Sequence, residues 1–426
     1  VKKKRVVWGV LLVLIFSICA LSALSVVAQG KVTLRYLERM RVEEWGQGLY
    51  DRLAVAYEEL NPDVKIEYIS ISYANQRQQT LMRGQAGTID VSEPVVSWIP
   101  QLAEANILEP VEGYFTQEEL DKYIEAARTD SYYKGAQYGV PYMVGPIILY
   151  INKDLIQRAG YPLRGPEDIL EFKEMTAKIA SLGTTDAGEK IQGFALRSSK
   201  AGNSALWFMP WIWQWGGDLV DIYGNAILNS VGVTRALEFY QWMGQTGVTE
   251  AGMDPFKSRI AFAEGIAGFC HDGPWLRGML RTISDNPDID NMYIVSRMPR
   301  AWSGSPWSIG NSTNLVVIKN SKYKKEAFEF AKWFTTNEST YKDLYEIMGF
   351  IPPLKKMLVE SPLFKTSFAK ANIEQLPYTR SVPWKNPKWP GAQEILATAL
   401  SDAVTGGDIS KIQRKAQSAL IELLEE

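Results

Sequence analysis

The order of apolar patterns is what constrains this sequence first. Lys31 to Leu37 reads as a strand. Leu49, Leu53, Ala56, Tyr57 and Leu60 fall at helical spacing, and Asn61-Pro62 stops that helix. Val64, Ile66 and Tyr68 alternate as a second strand, and Ile89 to Val96 is strand-like again after Gly84 and Gly87. Such a β-α-β-β rhythm predicts an α/β lobe with a largely parallel sheet. At 426 residues the chain exceeds one ordinary core, so two lobes are expected.

The remainder continues the pattern. Gly139-Val140-Pro141 leads into a continuous apolar strand, Ile147 to Ile151, which Asn152-Lys153-Asp154 ends while starting a helix. Ile169, Phe172, Met175 and Ile179 share one face of a further helix. Ala236 to Met243 reads as helical, Ala261 to Phe269 leads into a second buried strand, and Leu315 to Ile318 is another strand. Ile412, Ala416, Leu420 and Leu423 mark a final amphipathic helix.

At the start, Lys2, Lys3, Lys4 and Arg5 precede an apolar run to about Val27 and a small-residue exit at Ala28. This is the pattern of a secretory signal over 1–28, cleaved after Ala28, with a retained anchor as the alternative. Cys270 is then the sole remaining cysteine, so no internal disulfide is expected. A formal net charge of −2 lacks the basic footprint that nucleic-acid binding requires.

Chemistry-bearing motifs are sparse. Neither a phosphate-cradling glycine loop nor a dinucleotide fingerprint occurs. One histidine, His271, builds neither a zinc site nor a triad, and it reads as a turn residue ahead of Gly273. Catalytic residues, metal and cofactor are therefore not expected. Glu38, Glu43, Glu44 and Glu93 could supply a glycosidase carboxylate pair, but nothing fixes their separation.

Aromatic residues carry more. With 14 Trp and 20 Tyr, the chain suits gripping a flat, hydroxyl-rich ligand. Trp213-Gln214-Trp215-Gly216-Gly217-Asp218 and Gly273-Pro274-Trp275 set indoles beside glycines, where another backbone or a ligand can approach closely. Trp207, Trp211 and Trp215 are spaced to share a helix face, and at least one belongs to the core. Trp242 and Trp333 read as core. Trp302 and Trp307 lie among Ser, Gly and Pro in a loop, where an exposed indole calls for a cover.

Five ordered segments carry a family resemblance. They are Tyr138 to Pro141 followed by Leu149 to Leu155, then Trp213 to Leu219, Leu228 to Ser230, Phe262 to Trp275, and Gly349 to Pro352. The chain resembles extracellular solute-binding protein family 1 of ABC importers, the carbohydrate-binding, maltose-binding-protein-like group. Three departures stand out. Ala86 to Val91 lacks the family's proline, Trp215 replaces an Asn before the double glycine, and the first strand runs into the basic stretch Glu38-Arg39-Met40-Arg41.

The resemblance implies a periplasmic-binding-protein fold, with two α/β lobes, mainly parallel sheets and a three-crossing hinge near Val144, Arg297 and Thr336. It divides the chain into 31–143 plus about 298–335, and 144–297 plus about 336–426. Trp275 would stack on a sugar, with Trp211, Trp213 or Trp215 as a second platform. Glu38, Glu93, Arg39 and Tyr142 would contact ligand from the first lobe, and Trp302 and Trp307 are further candidates. The implied partners are a carbohydrate ligand and a cytoplasmic-membrane ABC permease with its ATPase, and the implied protein is an exported monomer without bond chemistry. Competing readings are a receptor for a glycerophosphodiester, polyol or polyamine, and an exported carbohydrate-active enzyme.

Overall fold

The computed structural model describes residues 31–42, 46–200, 204–310, 312–381 and 385–425. The predicted signal segment, Glu43 and Glu44 lie outside the described residues. Strands are numbered along the chain: β1 (Val32–Glu38), β2 (Val64–Ser70), β3 (Val91–Ser92), β4 (Tyr132–Tyr133), β5 (Ala136–Gln137), β6 (Val140–Met143), β7 (Ile148–Asn152), β8 (Gln192–Ala195), β9 (Ala267–Asp272), β10 (Tyr293–Ser296), β11 (Ser308–Ile309), β12 (Thr313–Val317) and β13 (Thr379–Arg380).

Two sheets organise the molecule. The first has the order β2-β1-β3-β12-β6 and the second β10-β7-β9-β8. β1 pairs in parallel with β2 along its whole length and with β3 at Tyr36 and Leu37. β8 and β9 are also parallel. β12 runs antiparallel to β3 and β6, and β7 runs antiparallel to β9 and β10. The sheets are therefore mixed, which corrects the expectation of mainly parallel ones. A strand arriving from the other lobe enters where the parallel strands end, so it must run against them. The expected strand over 89–96 also shrinks to Val91–Ser92, because Pro94 offers no N–H to a ladder.

Burial explains which patterns became strands. All five residues of β7 and all six of β9 are buried, as in strands covered on both faces. Helix Ile169–Ala180 rests so closely on β8 that a Cβ on Gly193 would lie 2.1 Å from the Thr176 carbonyl oxygen. Gly217 likewise meets helix Val231–Gln245 backbone to backbone, where a Cβ on Gly232 would lie 2.2 Å from the Gly217 nitrogen. The double glycine thus serves packing. Among the described residues, no helix is long and apolar enough to cross a membrane.

Three chain segments meet between the sheets. The Val144 N–H donates to the Ile351 carbonyl at 3.2 Å, and the Ile147 N–H donates to the Ile309 carbonyl at 3.2 Å. Isolated bridges pair Val144 with Ile351 and Pro146 with Gly310. The third of these segments is 349–354, later than the crossing expected near Thr336. Helix Glu338–Met348 intervenes and packs against both helix Gln47–Leu60 and helix Leu276–Ile283.

Candidate ligand-binding cleft

The first-lobe rim is built where β1 and β3 end. One Glu93 carboxylate oxygen accepts from the Tyr36, Tyr142 and Tyr50 hydroxyls at 2.7, 2.7 and 3.0 Å, and the other accepts from the Arg39 backbone N–H at 2.9 Å. Glu93 and Tyr142 are wholly buried. Burial, then the charge of Glu93, pushes the Tyr142 phenol far above its ordinary value. The Arg39 guanidinium donates to Gln76, to the Glu93 carbonyl and to Thr313 at 3.0, 2.7 and 3.0 Å. Glu38 accepts from Ser70 and from the Arg41 N–H, and burial followed by the charge of Glu93 raises its carboxyl. These groups come together as the sequence reading expected, but their polar atoms are spent on one another. Glu93, Tyr142 and Glu38 brace the rim in this structure, where the resemblance implied contacts to ligand.

The tryptophans separate by environment. Trp211 is fully buried among Phe172, Phe194 and Phe239, and its indole N–H donates to His271 Nδ1 at 3.3 Å. Trp213 is equally enclosed. Both are core residues, which corrects their reading as open platforms. The helix Ser204–Gln214 that carries them is buried along its whole length. Trp215, one residue beyond, is half-buried against Phe239, and its indole N–H has no partner. Half-buried Trp307 lies under the Arg380 guanidinium at 3.9 Å. Trp302 is 62% exposed, and Arg235 covers its ring at 3.7 Å.

Trp275 stands apart. It precedes helix Leu276–Ile283, is half-buried, and packs against both apolar cores. A Cβ on Gly145 would lie 2.6 Å from the indole, and the ring centroid is 6.2 Å from that of Phe350. The indole therefore touches two of the segments that join the lobes.

His271 lies inside β9, not in a turn. Burial, then the nearby Arg197 charge, lowers its pKa to about 3. A folded-state value below the unfolded one means that the unfolded chain binds the extra proton. His271 should therefore reduce stability as pH falls from about 6.5 towards 3. Urea titrations of wild type and His271→Gln across that range should diverge, with the variant losing less. Parallel curves would contradict the neutral, buried imidazole.

The sequence reading missed a buried ion cluster at the second-lobe rim. Asp272, ending β9, accepts from Arg197 and from Arg259 Nε (2.8 Å), and its other oxygen accepts from the Gly273 N–H at 2.8 Å. Burial opposes ionisation of Asp272, yet the two guanidiniums hold its pKa below the ordinary value. Arg197 lies just past β8, donates to Ser258 at 3.3 Å and stacks 3.9 Å over Trp207. Burial lowers its pKa to about 10. A charge directly after the apolar run Phe194-Ala195-Leu196 was the available signal.

The fold and the cleft rims define a two-lobed solute-binding protein. The profile described as "Bacterial extracellular solute-binding protein" matches residues 52–372, and the chain belongs to that family. It is 25% identical to a binding protein of Brucella abortus (strain 2308) over 402 residues, 91% of this chain and 92% of that one. It is 23% identical over 385 residues to the maltotriose-binding protein of Pyrococcus abyssi, covering 88% of this chain and 79% of the relative. The GacH receptor of Streptomyces glaucescens, solved unliganded and with acarbose, superposes with a TM-score of 0.81 at 19% identity, over 93% of this chain and 99% of that one.

Proposed function

We propose that this chain captures a carbohydrate between its lobes and delivers it to an ABC permease, with no bond chemistry of its own. The observation that carries the reading is the Trp275 indole, partly exposed and lodged against two segments joining the lobes. A pyranose face of C–H groups suits such a π-surface. Trp215 and Trp307 are second platforms, and Arg39 presents the opposite rim. The names of the Pyrococcus and Streptomyces proteins, maltotriose-binding and acarbose-bound, support a sugar.

In this reading the lobes are 31–143 with about 312–348, and 144–310 with about 349–425, so that the boundaries expected near Arg297 and Thr336 both move later. Segment 1–28 is removed on export, and the mature monomer works in the periplasm, or outside the cell in association with its membrane. Trp275→Ala should weaken binding of the best sugar by about 1–3 kcal/mol, the scale of a buried aromatic anchor, with the fold intact. Unchanged calorimetric affinity would remove Trp275 from the site. Prolonged incubation with oligosaccharides, followed by chromatography, should return them intact; release of shorter sugars would overturn the binding-only reading.

A further inference from the structure

We propose that the captured solute carries an anionic group, a carboxylate or a phosphate, received by Arg197 and Trp207 at the second-lobe wall. The proposal rests on the cleft-binding reading above and names the ligand class.

A guanidinium has five N–H groups and an indole has one. Arg197 spends Nε on Ser258 and Nη2 on Asp272. Its Nη1, with two N–H groups, is buried without a partner, and so is the Trp207 indole nitrogen. The two side chains are stacked 3.9 Å apart, so these unspent donors are neighbours. Burying polar groups unpaired is costly, and more so for a charged one.

The charges point the same way. Arg197 and Arg259 share one carboxylate, Asp272, which also accepts from the Gly273 N–H. The Arg197 and Asp272 side chains are fully buried and that of Arg259 is 13% exposed, so a positive charge is left over where little water can answer it. A sugar hydroxyl would accept one or two of the free N–H groups and leave the charge. A carboxylate or phosphate answers both, through charge-assisted hydrogen bonds. Trp207 also sits on the first turn of helix Ser204–Gln214, the positive end of its dipole.

The position fits a ligand-facing role. Arg197 and Asp272 lie at the carboxyl ends of the parallel strands β8 and β9, the rim that also carries Trp275 three residues later. Trp207 is 6% exposed and Arg197 1%, which makes the indole the outer member of the stack. An anion held by these two donors lies against the indole, so capture should change Trp fluorescence.

The test is calorimetry on the purified chain with maltotriose, trigalacturonate, the trigalacturonate methyl ester and glucose 6-phosphate. At least one anionic probe should bind tenfold or more tighter than the neutral ones, and the acid against its own ester isolates the charge. Trigalacturonate against glucose 6-phosphate distinguishes carboxylate from phosphate. Arg197→Gln leaves a neutral Arg259–Asp272 pair and should abolish the preference. If that variant does not fold, Trp207→Phe keeps the ring, removes the N–H and should lower anion affinity several-fold. Neutral probes binding as tightly as the acids, or both variants keeping the preference, would overturn the anion site while leaving carbohydrate capture standing. Failure of every probe would count against capture of a sugar as well.

Discussion

Asp272→Ala is expected to lower the free energy of unfolding by about 3–5 kcal/mol, the scale for removing one partner of a buried ion pair. The carboxylate is the shared acceptor of Arg197 and Arg259, and the Gly273 N–H also leans on it. Without it, Arg197 keeps a buried charge whose remaining partner is the Ser258 hydroxyl. Asp272→Asn should cost less, since an amide oxygen still accepts. The wild-type carboxyl is held below its unfolded value, so its contribution is present above about pH 4 and is lost as pH falls through the folded value. Urea melts of both variants at neutral pH test this. A loss below about 1 kcal/mol for alanine would mean that the guanidiniums find water instead.

Glu93→Ala should be nearly as severe, for a different reason. Three tyrosine hydroxyls and the Arg39 N–H lose their acceptor together. Leaving a buried donor unsatisfied costs about 1–3 kcal/mol, and neighbouring losses do not add fully, so a total of about 3–5 kcal/mol is expected. Near-ultraviolet circular dichroism should report loosened tyrosines. A variant with wild-type stability and spectrum would show that the carboxylate is dispensable to the rim. Retained stability with lost sugar affinity would restore Glu93 as a ligand contact.

The contrast between these two clusters shows what the sequence could carry. The helix at Leu49–Leu60 and the strand at Val64–Tyr68 were legible because their periods are local. Strand direction was not, because β12 takes its orientation from a return out of the other lobe. Glu93 was recognised near a strand end, yet its partners Tyr36 and Tyr142 lie 57 and 49 residues away, and no local pattern records that pairing. The separation of Arg197 from Asp272 is 75 residues, and the pair was missed altogether. The shared face of Trp207, Trp211 and Trp215 announced an apolar stripe; what it faces is decided by Phe172, Phe194 and Phe239 from elsewhere.

The place of β12 in the first sheet bears on how the chain becomes a protein. β12 separates β3 from β6, so the sheet begun at Val32 is not closed until Thr313–Val317 has been made and has returned. Contacts across so long a separation form slowly, because the intervening loop must first be ordered. For a member of an extracellular family, that delay is useful. A chain whose first lobe stays incomplete until nearly three-quarters of it has been synthesised remains threadable for longer on its way out of the cell.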